Sequence, residues 1–468
     1  MFRPSIQKTT VLFVIALFNI ILFYAVVSTS VLTEKAVNYD KKIIASNMMD
    51  KAVSQLQKYS EKFRKKLKIP PATDPFNSYL VFGNDSRSPL VTDLGDPEAK
   101  ATVLKPNFSA LVMDEFEKAG LQKGDMVAIS MTGSMPGANI AVIVVCEAME
   151  LNCISISSLG ASSGGATDMH FSWPKMEKVL YDGKLITQTS NKFSYGGAAD
   201  YLKRGKGFRK DYGGYDKRQQ LDSLMQSIYP DSSLADLFVL YGLSQSEIVQ
   251  KTLLRKSIEK RLEFYKSQCD SKDLSCYKAY INIGGSVASI GLKAHGKLSK
   301  KHYGFINPSM IQDVLPPYEK NASVIIKFSD SNIPIINFIQ IEKLIKKVNG
   351  KKNDWISISY FNDEFDSKLD LVGNGVWDEK HYEWNEERAG ENESYTDINN
   401  NGQYDKGEPF EDQDGIIDIG KGNLFYTKRF NMLIVWAVFF MSASMTIYIG
   451  FISYRQINKQ MREYNPDE

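Results

Sequence analysis

The acidic segment at residues 397–408, DINNNGQYDKGE, has the residue types of a calcium-binding loop. Calcium takes about six to eight oxygen ligands, which an EF-hand loop supplies at fixed positions around a turn glycine. Gly402 stands at the position of that glycine. The predicted ligands are Asp397, Asn399, Asn401, Gln403 through its backbone carbonyl, Asp405 and Glu408. We therefore predict Ca²⁺ as a cofactor, and the alternative is a solvated acidic loop without metal.

Two neighbouring segments repeat this pattern in part. In the first, Val372 and His381 stand where a complete loop would place oxygen ligands. The partial ligand sets are Asp370, Asn374 and Asp378 in the first segment, and Asp412, Asp414 and Asp418 in the second. Weak loops of this kind, with dissociation constants of roughly 10⁻⁴–10⁻³ M, suit a compartment rich in calcium. They favour an extracytoplasmic location, where bound calcium would stiffen an acidic spacer.

Glycine and serine residues follow three predicted strands. Small residues at the start of a helix expose backbone N–H groups, which bind carboxylates or phosphates. Three such turns at one edge of a sheet would form a pocket rich in hydrogen-bond donors for an anionic ligand. The candidate ligand-binding residues are Thr132, Gly133, Ser134, Ser162, Ser163, Gly164, Gly284, Gly285 and Ser286. The alternative is that these turns only allow strands and helices to pack closely.

Ser134 is also a candidate nucleophile, with Asp168 or His170 as an assisting group. The residues around Ser134 do not form a G-x-S-x-G motif, and neither histidine nor lysine is adjacent to it in sequence. The chain has only four histidines, which limits acid–base chemistry based on that residue. Catalysis therefore stays open at this point.

The Gly/Ser turns lie after strands of a βαβα pattern that begins at Phe108. Short apolar strands alternate with helices, and the segments 322–330 and 333–350 are interpreted as a further strand–helix pair. This alternation predicts an α/β fold, a mostly parallel sheet with helices on both faces (Rossmann-like), which binds ligands at the carboxyl ends of its strands. A helical insertion over the sheet is expected at about residues 200–268.

Two windows without charged residues, 9–33 and 430–454, are each long enough to cross a bilayer as a helix. Both flanking tails carry arginine and lysine beside these windows, which suits the cytoplasm. The predicted order is a cytoplasmic tail (1–8), a transmembrane helix (9–33), a membrane-proximal helix and connector (34–107), an extracytoplasmic α/β domain (108–362), an acidic calcium segment (363–428), a second transmembrane helix (430–454) and a cytoplasmic tail (455–468).

Charge and cysteine content limit the possible partners. A formal net charge of +2 on 468 residues gives no strong overall field, and we expect no nucleic-acid partner. The basic run at 203–218 would either attract a polyanion or form a solvated loop. Cys269 and Cys276 lie close together in a polar stretch, where an exported protein could close a short disulfide loop, and this pairing stays open at this point. Cys146 and Cys153 lie among apolar residues and are expected to be buried thiols.

Four segments, taken together and in order, resemble the poly-gamma-glutamate system protein family, membrane-associated bacterial proteins linked to poly-gamma-glutamate production. They are GSMPGANIAVIVVCEAMEL, ISSLGASSGGATDMHFSWPKMEKVL, YINIGGSVASIG and IPIINFIQIEKL. The resemblance covers roughly residues 108–345, and its most specific part is the Ser/Gly loop before Trp173. It implies a role in making or exporting an anionic γ-linked polymer at the bacterial cytoplasmic membrane, and it supplies no catalytic residues.

Three functional hypotheses follow. The preferred one is a membrane-anchored accessory protein of poly-gamma-glutamate synthesis or export, which binds the polymer or another carboxylate through its Gly/Ser loops beside membrane proteins of the synthesis machinery. The second is an extracytoplasmic hydrolase or transferase that acts on γ-glutamyl bonds through a serine nucleophile. The third is a calcium-stabilised interaction module of the cell envelope without a small-molecule site.

Overall fold

The computed structural model describes residues 9–29, 31–67, 88–197, 218–229, 247–291, 302–312, 323–341, 343–345, 419–420 and 424–463. The chain divides into two units. One consists of residues up to Val37 together with Tyr426–Glu468, and the other is Asn38–Phe425.

The regular elements are numbered in chain order. The strands are β1 (Val31–Lys35), β2 (Val91–Asp93), β3 (Met126–Thr132), β4 (Asn152–Ser158), β5 (Ala161–Ser162), β6 (Lys192–Ser194), β7 (Tyr277–Ile283), β8 (Gly304–Ile306), β9 (Ile335–Phe338) and β10 (Tyr426–Phe430). The helices are α1 (Thr9–Thr29), α2 (Tyr39–Leu67), α3 (Pro97–Thr102), α4 (Phe108–Lys118), α5 (Pro136–Ala148), α6 (Trp173–Asp182), α7 (Arg218–Ile228), α8 (Glu247–Ser267), α9 (Val287–Ile290), α10 (Pro308–Gln312), α11 (Val324–Asp330) and α12 (Met432–Glu463).

The first unit contains a helix that could cross a membrane. Among the described residues, α12 alone is long and apolar enough for this, and the apolar part of α1, Phe13–Tyr24, is shorter than the roughly 20 residues required. The two helices contact each other, and the Ser442 hydroxyl donates a hydrogen bond to Asn19 Oδ1. One span is therefore supported, and the N-terminal span stays a prediction.

The predicted inner boundaries of these spans, at residues 33 and 430, were wrong. Residues 31–33 and Phe430 belong to an antiparallel ribbon of β1 and β10, with Val31 opposite Phe430 and Lys35 opposite Tyr426. The first span therefore does not continue into α2 as one helix. Asn38 has a positive φ of 52°, and α2 begins directly after it at Tyr39. Mutual hydrogen bonding of the two strands satisfies backbone groups that a longer helix would have paired internally.

A six-stranded sheet in the order β6-β4-β3-β7-β9-β8 forms the centre of the second unit. All neighbouring strands are parallel except β8, which pairs with β9 antiparallel at one edge. The predicted α/β class and mostly parallel sheet are therefore confirmed, and the narrower Rossmann-like description stays a prediction. From β3 the chain adds β4 and β6 on one side of the sheet, and later β7 and β9 on the other. The crevice between the ends of β3 and β7 is thus the place where such sheets bind ligands.

Helices pack on both faces of this sheet. Ile335 belongs to a buried apolar cluster with residues of α8, including Ile258 and Tyr265. Phe338 lies three residues further along β9, so its side chain points to the opposite face, where its ring lies 6.2 Å from that of Phe108 in α4. Within the segment expected to be a helical insertion over the sheet, α8 packs directly against the sheet. The insertion itself stays a prediction.

One predicted strand–helix pair occurs in the reverse order. The segment expected to be a strand forms α11, and β9 follows it. Ser323 caps α11, since its hydroxyl oxygen accepts a hydrogen bond of 3.3 Å from the N–H of Ile326. A serine cap of this kind favours a helix start over the β-branched character of the residues that follow.

Both cysteine pairs form disulfides. The Cys269–Cys276 bond, which the sequence left open, is present. The expectation of buried thiols at Cys146 and Cys153 was wrong because these residues are bonded to each other. Each bond joins the end of a helix to the start of the next strand, α5 to β4 and α8 to β7. The disulfides therefore lie at the amino ends of β4 and β7, away from the candidate ligand-binding loops.

A buried carboxyl group ties α6 to the neighbouring elements. Glu177 is fully buried, and it accepts hydrogen bonds from Ser190 Oγ at 2.7 Å and from Tyr229 Oη at 3.3 Å. Ser190 in turn lies 2.6 Å from Ser157 Oγ in β4. Burial raises the pKa of Glu177 from 4.5 to about 7, although these hydrogen bonds act in the opposite direction.

We expect Glu177→Gln to remove part of the pH dependence of stability. The folded state binds the Glu177 proton more tightly than the unfolded state, so this group's contribution is lost as pH rises from about 4.5 through about 7. The free energy of unfolding of the variant should exceed that of the wild type by about 3 kcal/mol at pH 8 and should lie within about 0.5 kcal/mol of it at pH 4.5. Urea unfolding at both pH values measures this, with the exposed Glu263→Gln as the control. An unchanged pH slope in Glu177→Gln would contradict the assignment.

Candidate functional site

The loops that follow β3 and β4 lie in contact at the carboxyl edge of the sheet. The N–H of Ser162 donates a hydrogen bond of 3.0 Å to Ser134 Oγ, and the N–H of Ala166 donates one of 2.8 Å to the carbonyl oxygen of Gly133. A Cβ atom on Gly165 would lie 2.6 Å from that same carbonyl oxygen. Glycine at 165 therefore allows the two loops to approach backbone to backbone.

Lys100 of α3 contacts both of these loops through its side-chain amine. Its side chain is buried, with 1% of the residue exposed. The Lys100 Nζ atom lies 2.5 Å from the carbonyl oxygen of Ser134, 2.8 Å from Ser162 Oγ and 3.3 Å from the carbonyl oxygen of Ser162. The amine thus fixes the distance between the two serines, and we call Lys100, Ser134 and Ser162 the serine–lysine cluster.

The environment of Lys100 disfavours its charged form. Burial lowers the pKa of Lys100 from 10.5 to about 7, against the opposing effect of the Asp96 carboxylate. Gly95 leaves room for this lysine, since a Cβ atom there would lie 2.6 Å from Lys100 Cε and 1.9 Å from the carbonyl oxygen of Ser163. At neutral pH the cluster therefore contains both the amine and the ammonium form of Lys100.

Ser134 and Ser162 are half-buried, as is Met135, whereas Gly133, Ala161 and Ser163 are buried. Ser163 has a structural role, because its Oγ atom accepts a hydrogen bond of 2.9 Å from the N–H of Gly95. Gly164 is buried and has a positive φ of 76°, which makes the turn. Among the candidate ligand-binding residues of these two loops, Ser134 and Ser162 are thus the ones that are partly exposed to solvent.

The third loop lies beside the end of β3. Gly284 has a positive φ of 82°, and a Cβ atom there would lie 2.3 Å from Thr132 Oγ1. Asn282 holds this turn through a hydrogen bond of 2.9 Å from its Nδ2 atom to the carbonyl oxygen of Gly284. Gly285 is exposed, and Ser286 is buried at the start of α9. The third loop therefore contacts the β3 strand end rather than the lysine.

The structure gives Asp168 a capping role. Its Oδ1 atom accepts a hydrogen bond of 2.7 Å from the N–H of His170, at the start of a short 3₁₀ helix (Met169–Phe171). His170 is exposed. These contacts join Asp168 to the backbone of His170 and not to Ser134, so they do not assemble the predicted catalytic group.

Sequence reasoning missed Lys100, which lies in the segment interpreted as a connector. Asp96 and Pro97 are residue types typical of a helix start, so the short helix α3 could have been predicted. The burial of Lys100 could not, because lysine is among the residues least often buried. The lysine also lies 34 positions from Ser134 and 62 from Ser162, beyond any local motif.

The candidate calcium ligands lie outside the described residues, between positions 370 and 418. The described residues contain no group of three or more His, Cys, Asp and Glu side chains that could hold a metal ion. Calcium therefore stays a prediction.

A concave region lies away from these loops, at the amino end of β4. This groove of about 530 Å³ is lined in part by Ile44, Glu147, Glu150 and Gln188. The two carboxylates would repel an anionic ligand, so the loops around Lys100 are the better candidate for one.

Fold and site together define a class, an α/β domain with Gly/Ser loops at the carboxyl edge of its sheet and at least one candidate membrane span. Comparison of the chain with known protein families, with curated proteins and with solved structures gives no match. The resemblance to poly-gamma-glutamate system proteins therefore stays a prediction.

Proposed function

We propose that this chain is a membrane-anchored accessory protein that binds an anionic carboxylate polymer, γ-linked polyglutamate in the first place, during its synthesis or export. The observation that carries the proposal is the convergence of the β3 and β4 loops on the buried Lys100. Ser134 and Ser162 are partly exposed, and the amine of the buried Lys100 contacts Ser162 Oγ and the carbonyl oxygens of both serines. Hydroxyl donors beside a cation suit a carboxylate.

The two disulfides support an extracytoplasmic position for the α/β domain. Bonds of this kind persist in oxidising compartments and are rare in the cytosol. In the proposed arrangement α12 anchors the domain, α1 provides a second span, and the domain lies outside the bacterial cytoplasmic membrane beside proteins of the polymer synthesis machinery. Calcium would bind at residues 397–408 and stiffen the acidic spacer before α12.

Ser134→Asp tests the proposed binding site. The introduced carboxylate can still accept the hydrogen bond from the N–H of Ser162, so the loops should keep their contact. Its negative charge would repel a bound carboxylate, and we expect the affinity for γ-linked glutamate oligomers to fall about tenfold or more. Isothermal titration of the full chain in detergent with millimolar calcium measures this.

Ser309→Asp, at an exposed position of α10, is the matched control for the added charge. An equal loss of affinity in both variants would show a general charge effect and contradict the site. If the wild-type protein binds no polyanion at moderate salt, the interaction-module alternative is favoured instead.

The hydrolase alternative has one specific observation in its favour. Ser162 Oγ lies 2.8 Å from Lys100 Nζ, within reach for proton transfer. The serine that contacts the lysine through its hydroxyl is thus Ser162, whereas Ser134, the predicted nucleophile, contacts it through its carbonyl oxygen.

A further inference from the structure

The hydrogen-bond geometry around Lys100 suits the neutral amine as well as the ammonium ion. The ammonium form has three N–H groups, one each for the carbonyl oxygens of Ser134 and Ser162 and for Ser162 Oγ. The neutral amine has two N–H groups for the carbonyl oxygens and a lone pair for the Ser162 hydroxyl proton. Loss of one proton thus reverses the direction of the Ser162–Lys100 hydrogen bond without moving either atom.

Ser162 combines this contact with access to ligand. Ser162 is half-buried, whereas Lys100, which contacts it, is buried. Its backbone is fixed from two sides, by its N–H bond to Ser134 Oγ and by the pairing of β5 with β2. A nucleophile held in this way approaches a carbonyl group in one orientation, which lowers the entropy cost of reaction.

We propose that Ser162 is the nucleophile and Lys100 the general base of an acyl-transfer site that hydrolyses amide bonds of the bound polymer. This proposal rests on the proposed function for its substrate class, the amides that link γ-glutamyl units. Lys100 takes the hydroxyl proton as Ser162 Oγ bonds to the carbonyl carbon, and the same proton then goes to the leaving amine as the C–N bond breaks. Lys100 then takes a proton from water as the water oxygen bonds to the ester carbon. When the ester C–O bond breaks, the carboxylic acid leaves and the proton returns from Lys100 to Ser162 Oγ.

Ser134 is placed to assist this reaction. Its Oγ atom lies 3.0 Å from the Ser162 N–H, beside the nucleophile, and its own O–H can donate to the oxygen that becomes negative in the tetrahedral intermediate. Lys100 has the protonation behaviour of a base for neutral pH, since burial brings its pKa to about 7. Asp96, in the turn before α3, is the charged group that acts on this amine.

A fluorophosphonate probe tests the proposed nucleophile in the full chain in detergent. Such a probe forms a covalent bond between phosphorus and an activated serine oxygen, releases fluoride and leaves the proton on the base. We expect labelling at Ser162, none in Ser162→Ala and unchanged labelling in the exposed control Ser267→Ala. Lys100→Met should label at least about 100-fold more slowly, as expected for loss of a general base.

The pH profile separates a reactive pair from a structural one. Labelling should rise about tenfold per pH unit below about pH 7 and level off above it, because only the neutral amine accepts the proton. Ser162→Cys provides a check on folding and access, since its thiol should be alkylated by iodoacetamide. Equal labelling of wild type and Ser162→Ala, or a rate that does not change between pH 5.5 and 8, would overturn the proposal.

Different outcomes contradict the proposed binding function and the proposed acyl-transfer reaction. If the wild type binds glutamate oligomers but neither shortens them nor labels at Ser162, the acyl-transfer proposal is wrong and the binding function stands. If Ser162 labels but glutamate oligomers do not bind, the catalytic pair stands and the polymer assignment is wrong.

Discussion

Replacement of Lys100 by methionine is expected to lower the affinity for γ-linked glutamate oligomers at least about a hundredfold. The variant removes the positive charge beside the two serines and leaves the carbonyl oxygen of Ser134 without its donor, whereas the carbonyl oxygen of Ser162 keeps the N–H of Gly165. A charge-assisted hydrogen bond contributes roughly 1.5–3 kcal/mol, and a buried acceptor without a partner costs a similar amount. Both effects loosen the contact between the β3 and β4 loops.

Lys123→Met is the matched control for this experiment. Its side chain is 69% exposed and forms an ion pair with Glu150 at the other edge of the sheet. The titration is run together with a thermal unfolding scan, so that loss of binding is separated from loss of folding. A folded Lys100→Met protein that binds the oligomers as tightly as the wild type would contradict the role of Lys100.

Replacement of Lys42 by methionine is expected to lower the free energy of unfolding by about 3 kcal/mol. The Lys42 ammonium group is buried between α2 and α4, where it forms an ion pair with Asp114 and lies 3.9 Å from Glu117. It also donates a hydrogen bond of 3.1 Å to the carbonyl oxygen of Leu424. Loss of one partner of a buried pair costs about 3–5 kcal/mol, and the partial exposure of Asp114 favours the lower end of that range.

Urea unfolding at pH 8 and pH 5 measures this effect and its cause. Burial raises the pKa of Asp114, and loss of Lys42 removes the largest opposing effect. The variant should therefore be closer to wild type at pH 5, where the carboxyl group can take up a proton. Lys58→Met, at an exposed position of the same helix, should change stability little. A loss that is equal at both pH values would show that lost packing, not an uncompensated carboxylate, is the cause.

The strands and helices around the candidate site could be predicted because their sequence patterns are local. The segments that became β3, α5, β4 and α6 combine short apolar strands, glycine turns and a proline at each helix start. The convergence of the loops after β3 and β4 follows from this pattern, since adjacent parallel strands end at the same edge.

What the sequence did not reveal depends on contacts between distant residues. Lys100 reaches Ser162 only because β2 pairs with β5, a contact that no periodicity indicates. Cys146 and Cys153 were interpreted by the apolar character of their neighbours, although the helix–strand junction brings their Cα atoms to 6.6 Å, a separation compatible with a disulfide. The strand β1 was missed for a similar reason, because its partner β10 lies almost 400 residues further along the chain.

The most direct test of the account is to locate the bound polymer. A γ-linked glutamate oligomer that carries a diazirine is photo-crosslinked to the full chain in detergent, and the modified peptides are identified by mass spectrometry. We predict adducts at residues 133–135 and 162–165, which excess unlabelled oligomer should suppress. Adducts found only elsewhere, for example in the basic run at 203–218 or along the groove beside Glu147, would contradict the loops around Lys100 as the binding site.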